Sequence, residues 1–388
     1  MIGDEYSPEK RKIIDEKTGK PVWQLTNGDS NNYHFYFTDN SFTLGDKEIY
    51  FMSDRASNGL EVYNLFRMDL GTGVIQQMTD EKAGITPTGH TKTPDSEIVV
   101  YVTGNKIKKL NTKTMTTTVI YEETTGAHLG HPFIAPNKKY IGLAINENPG
   151  LYHGANYYGF KEQMYAIKKG WITLVYLDGS KAVTVHESSH WLGHFQFAPD
   201  DSTLAMFCHE GPWHLVNQRI WLLDLISRDV VPCFRQHQDD CVGHEFWTSD
   251  AKIFFDNRRK GHDGTITSDK TQATSVEPET AEIPYVGLAD SKGNVVKCTD
   301  MPYYCNHYHA TNDNKLLVGD QVEDLVLIHL DENSAKLETL CSHHTSWRTQ
   351  QSHCHPTFSW NNEKILFASD RKGRIHLYLA EQQDGKWL

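Results

Sequence analysis

Seven times along this chain a turn built from Asp, Asn, Pro, Ser or Gly is followed at once by a short run of alternating apolar residues. A chain that repeats one turn-and-strand unit has few ways to bury it. The first unit reads Gly45-Asp46-Lys47-Glu48-Ile49-Tyr50-Phe51, and the others open at Pro94-Asp95, Pro136-Asn137, Pro199-Asp200, Ser249-Asp250, Asn312-Asp313 and Asn361-Asn362. Asp, Asn, Pro and Gly make the tight turn, and the period of two that follows is that of a strand with one face buried. The units recur every roughly 40 to 65 residues, the length of a four-stranded blade plus its loops. The pattern predicts an all-β chain folded as a seven-bladed β-propeller.

Further strands fall where the remaining blade elements belong: Trp171 to Leu177 before Asp178-Gly179, Ile220 to Leu225, and Val326 to Leu330 before Asp331-Glu332-Asn333. The strand Ile375 to Leu379 comes last, so the early segment Val22-Trp-Gln-Leu25 is expected to complete its blade, which would leave no free sheet edge. The repeats run through nearly all 388 residues, and we read residues 1–388 as a single domain. Two stretches depart from the blade pattern and are expected as insertions. One is Asn146 to Gly170, with a short helix over Phe160 to Lys169; the other is Lys260 to Glu282, polar, Thr-rich and strand-poor.

A formal net charge of −12 with only short basic runs such as Arg258-Arg259-Lys260 argues against a nucleic-acid partner. No apolar run is long enough to cross a membrane, and the N-terminus lacks the apolar stretch of a signal peptide. Seven cysteines, an odd number without paired spacing, suit free thiols in a reducing compartment, so a cytoplasmic location is expected. Composition is silent on oligomeric state.

Five of the units carry a histidine six residues before their turn: His131, His194, His244, His307 and His355. In a propeller the first strand of each blade lines the central channel, so equivalent positions there converge in space. A place rich in imidazole is a site for a metal or for proton transfer. The bland reading, each histidine capping a neighbouring strand through a hydrogen bond, suits any one of them better than it suits all five. The run Gln350-Gln351-Ser352-His353-Cys354-His355 adds a His-x-His pair, which on an extended strand sends both rings to one face and Cys354 to the core. With His307 one blade earlier, such a site suits Mn²⁺, Fe²⁺, Ni²⁺ or Zn²⁺ rather than a closed structural zinc centre.

At this level of detail the chain resembles a known family. Trp191-Leu-Gly-His194, Cys208-His-Glu-Gly-Pro212 continuing to Arg219, His244-Glu-Phe-Trp247, Cys305-Asn-His307, Leu316-Leu-Val-Gly-Asp320, His344-Thr-Ser-Trp347 and His353-Cys-His-Pro356 are similar, in order, to the oligogalacturonate lyases, metal-dependent seven-bladed propellers of pectin catabolism. The resemblance runs from about residue 20 to the C-terminus and is densest after Trp191. It implies Mn²⁺ as the metal, His307, Gln350, His353 and His355 as its ligands, and His244 and Arg219 as residues of the catalytic pocket. Three features depart from the family pattern: Cys354 stands where proline is expected, His309 follows two residues after His307, and the Lys260 to Glu282 insertion is long. These bear on the rim and on which uronate is accepted.

The expected reaction is β-elimination in a short 4-linked oligogalacturonide, giving unsaturated or keto-deoxy uronates. The C5 proton lies α to a carboxylate, and a cation there stabilises the enolate-like charge that develops. His244 is the expected base, because imidazole titrates near neutrality. Arg219 offers a planar fork to a carboxylate, or else a salt bridge beside its strand. His194 and His209 are expected to hold substrate hydroxyls or carboxylates, and Glu245 to face away from the axis by strand alternation. An acidic chain repels long polyuronate, so short oligomers entering a locally positive funnel are the expected partners. Two alternatives stay open: a lyase for another uronate-containing oligosaccharide, and a non-enzymatic propeller that serves as a binding scaffold.

Overall fold

The computed structural model describes residues 1–57, 60–151, 158–258, 260–265, 284–332 and 334–387. Its strands form seven antiparallel sheets, the blades of a β-propeller. Blade 4 has the basic form, with Leu192–Phe197, Leu204–His209, Ile220–Asp224 and Val230–Pro232 hydrogen-bonded in chain order. Blades 1 to 3 occupy residues 32–77, 90–122 and 128–188, blades 5 and 6 residues 241–300 and 308–342, and blade 7 residues 357–383 with two N-terminal strands.

The ring closes through packing as well as pairing. Seven apolar clusters are present, one in each gap between neighbouring blades; an open arc of seven blades would have six. In the gap between blades 7 and 1, Leu366, Leu377 and Leu379 pack against Phe42, Ile49, Phe51 and Phe66. The strand Pro21–Gln24 pairs with His376–Gln383, setting Trp23 opposite Leu379 and Gln24 opposite Tyr378. Upstream, Glu5–Tyr6 adds an outer strand to blade 1 by pairing with Ile75–Gln77. The first 24 residues thus tie the last blade to the first.

Strand burial differs from the one-faced pattern expected of alternation. The strand Ile253–Arg258 is buried at every residue, because a central strand of a blade is covered by the blades on both sides. The outermost strand Thr116–Glu122 is exposed along most of its length. The expected helix is present as Phe160–Ala166. Most of the Lys260 to Glu282 stretch lies outside the described residues.

One feature had no signal in the repeat. After the innermost strand of blade 1, Asn32–His34, the chain crosses the channel as a strap instead of turning back directly. Tyr36 lies 6.4, 6.0 and 5.0 Å from the rings of His131, His194 and His355, and Phe37 lies 6.2 and 5.8 Å from those of His244 and His307. Two residues therefore reach five blades. The strap divides the channel into a cavity of about 720 Å³ on one face and one of about 540 Å³ on the other.

Candidate active site

All five register histidines meet around Tyr36 and Phe37, so the equivalence of repeat positions does become a shared place. They get there by irregular backbone. The innermost strands of blades 4 and 5 slip register between Gly193 and Gln196 and between Gly243 and Phe246, and such bulges re-aim a side chain. His194, His244 and His355 lie in the left-handed region at φ 47°, 49° and 43°, a conformation costing about 1–3 kcal/mol for a residue with a side chain. Glycine precedes two of the three for a steric reason: a Cβ on Gly243 would sit 1.9 Å from the Trp213 ring, and one on Gly193 2.3 Å from Glu210.

The bulge also overturns the expectation for Glu245. With alternation broken, its carboxylate turns into the site, fully buried, and takes the Nε of Arg219 at 3.0 Å. Nη1 of Arg219 reaches Glu210 at 3.4 Å. His194 bridges the same two acids, with Nε2 3.2 Å from Glu210 and Nδ1 3.5 Å from Glu245. Burial disfavours a charged imidazole at His194, but Glu245 and Glu210 outweigh it and raise its pKa. Arg219 and a histidine whose protonation is favoured thus face two carboxylates. Arg219 is the only Lys or Arg among the described residues of the larger cavity, and it is already paired, so the expected positive funnel is not supplied by basic side chains.

His244 has a different environment. Its Nδ1 lies 3.2 Å from Oδ1 of Asp256, whose other oxygen accepts from Nε of Arg258 at 3.4 Å. Trp213 packs edge-on against the imidazole at 5.0 Å. Burial, reinforced by Arg258, drives the His244 pKa well below its ordinary value, and burial pushes Asp256 up to about 7 against the pull of Arg258. His244 therefore does not titrate near neutrality as expected; it is a neutral, oriented imidazole at the cavity wall, 4.9 Å between ring centroids from His307.

His307, His353 and His355 offer ring nitrogens that all lie within 4.8 Å of one another. The His-x-His pair is not on an extended strand. His353 ends the short 3₁₀ turn Gln350–Ser352, and the left-handed turn at His355 brings the second ring round to the first, 5.6 Å away. Cys354 points into the core between blades 6 and 7. His307 is oriented by Asp320, whose Oδ2 lies 2.9 Å from Nδ1, and the side-chain amide of Gln350 lies 3.4 Å from Nε2 of His355. Among the described residues, both nitrogens of buried His353 lack a hydrogen-bond partner. Three neutral imidazoles and an amide, one imidazole with no protein partner, fit a divalent transition metal.

His194, Cys208 and Glu210 form a second group of ligand-type atoms, but there Arg219 already supplies the positive charge. His209 stands apart from the cavity: it stacks on His190 at 4.1 Å, lies 5.1 Å from Trp221, and is lowered to about 3 by burial and by His190. His309 stacks on Phe246 and faces the cavity on the opposite side of the strap. The sequence reading missed Asp256, Asp320, Glu210 and Trp213. Glu210, Trp213 and Asp320 stood inside segments that carried the family resemblance, whereas Asp256 had no local signal.

A family model described as oligogalacturonate lyase matches residues 9–385. An oligogalacturonate lyase of Dickeya dadantii (strain 3937) is 26% identical over 399 residues, covering 96% of each chain. An oligogalacturonide lyase of Pectobacterium atrosepticum is likewise 26% identical over 400 residues and 96% of each. Among solved structures, an oligogalacturonate lyase in complex with manganese superposes with a TM-score of 0.84 at 22% identity, over 99% of this chain and 98% of that one. A Vibrio parahaemolyticus oligogalacturonate lyase gives 0.83 at 22% identity over 99% of both. At that identity the likeness speaks for the fold.

Proposed function

The chain belongs to the oligogalacturonate lyase family, and from that premise we propose that it cleaves short 4-linked oligogalacturonides by β-elimination in the larger cavity. The observation that carries this reading is the pairing of a neutral, carboxylate-oriented His244 with the three-imidazole cluster one blade away. A base beside a cation site is what abstraction of a proton α to a carboxylate requires.

In this reading His307, Gln350, His353 and His355 hold a divalent cation, Mn²⁺ by analogy with the manganese complex of the related lyase. Bound there, it supplies positive charge to the substrate carboxylate as charge develops. Nδ1–H of His244 donates to Asp256, which leaves Nε2 to accept the C5 proton. As the C5–H bond breaks, its electrons form the C4=C5 double bond, the C4–O4 bond breaks, and the departing oxygen takes a proton from water, the proton held on His244 being returned to solvent. Arg219 is held by Nε and Nη1, so its guanidinium plane is set before substrate arrives and can hold a uronate carboxylate. His194 shares both acids of Arg219 and is the residue we assign to substrate hydroxyls. Trp213 forms a wall, 5.7 Å from the Arg219 guanidinium and 5.0 Å from His244.

We read the whole chain as one unit, on the strength of the seven interblade clusters and the N-terminal strand in blade 7. A cytoplasmic location is supported by seven free cysteines, six of them buried. No helix among the described residues is long and apolar enough to cross a membrane. The test of function is incubation of the protein with Mn²⁺ and short oligogalacturonides. An ultraviolet-absorbing conjugated product is expected, and cleavage without that absorbance would mark a hydrolase.

A further inference from the structure

Beside His353 lies a small chamber of about 20 Å³ that shares Tyr36, Thr88, Gln350 and Gln351 with the lining of the large cavity. Its lining includes Tyr33, His34, His90, His353 and His355, drawn from blades 1, 2 and 7. Among the described residues, the Oη of Tyr33, Nδ1 of His34, both nitrogens of His90 and both nitrogens of His353 are buried without a well-formed hydrogen bond, His90 having only a weak contact to the backbone of Thr86. These six are half of the twelve such side-chain atoms among the described residues. Buried polar atoms are costly unless paired, and a polar cavity needs only on the order of 10–15 Å³ to take in a water.

We propose that this chamber is a hydration site whose bound water orients the metal ligand His353, with His90, Tyr33 and His34 as the positioning residues that hold the water. The proposal rests on the reading of His353 as a ligand. A ligating imidazole gives one nitrogen to the metal and its other N–H to an acceptor, which is a carboxylate, a carbonyl or a water. His307 has Asp320 for that purpose. His353 has no protein acceptor among the described residues, but it does line the chamber.

The donors and acceptors balance. Nε2 of His34 lies 3.0 Å from the carbonyl oxygen of Cys354, so it carries the proton and Nδ1 is an acceptor. Neutral His90 has one N–H and one lone pair, and Tyr33 brings an O–H. A water has two protons to give and two lone pairs to receive with. It can accept from His353 N–H and from Tyr33 O–H, and donate to His34 Nδ1 and to one nitrogen of His90, whose N–H is turned to the backbone of Thr86. Phe35, edge-on to His90 at 4.4 Å, supplies an apolar wall.

The test combines metal titration with crystallography. Mn²⁺ affinity, followed by loss of the free-ion electron paramagnetic resonance signal, should fall about 10–100-fold in His90→Phe, which keeps ring shape and removes both nitrogens. His90→Gln should recover most of that loss, and Tyr33→Phe should give a smaller one. Melting of the metal-free protein checks that each variant is folded. High-resolution density in the wild-type chamber should show a water within hydrogen-bond distance of His353; a dry chamber, or Mn²⁺ affinity unchanged in a folded His90→Phe, overturns the proposal. A His353→Ala variant of unchanged affinity would instead overturn the ligand assignment, and this inference with it.

Discussion

Oδ1 of Asp256 lies 3.2 Å from Nδ1 of His244, and Asp256 is in turn tethered to Arg258. The pair orients an imidazole whose own backbone is turned by a bulge, and in the reading proposed above Nε2 is the atom that takes the C5 proton. His244→Ala should therefore lose about 10²–10⁴ in kcat, the range of a general base, while retaining stoichiometric metal by elemental analysis. Asp256→Asn should keep metal and fold and lower kcat more than it raises KM. Normal turnover by His244→Ala would assign the base to another residue.

Metal retention should depend on the histidine cluster. Changing His353 and His355 together to Ala should abolish tight Mn²⁺ binding in a protein that still melts cooperatively. Asp320→Asn, which alters only the partner of His307 Nδ1, should weaken binding about 10–100-fold. Both are read by equilibrium dialysis with metal analysis, and a double variant that keeps one ion per chain would move the site elsewhere.

The His194 network has a pH signature. The His194 pKa is raised in the fold above the ordinary value of about 6.5. The imidazolium's contribution to stability is then fully present below that ordinary value and is lost as pH rises through the folded one. Glu210→Gln removes one of the two acids, so the His194 titration followed by NMR should shift to lower pH. A titration that does not move would show that Glu210 is not what holds the proton.

Gly243 is fixed by Trp213, not by its own dihedral angles. Gly243→Ala drives a Cβ into the indole and should destabilise the protein by about 1–3 kcal/mol, with loss of activity as His244 is displaced. Thermal melting and turnover measured on the same sample check both effects. A substitution at Gly45, where a Cβ meets open space but φ is 87°, should cost stability through backbone strain and leave turnover of the folded protein unchanged.

The sequence by itself determined the blade count, the shared register of five histidines and the N-terminal strand in the last blade. Each of these rests on turn chemistry and a period of two, which act over a few residues and repeat visibly. The same local logic misread Glu245 and the His-x-His pair, because alternation assumes a regular strand and both places are irregular. Only the tertiary structure decided which groups hold the histidines in place. Asp256 and Asp320 reach theirs across paired strands, and Trp213 does so from a short 3₁₀ turn. The strap sets Tyr36 against His355 from the other end of the chain. Such neighbours exist only once the ring has closed, since closure is what brings the inner strands of different blades around one axis.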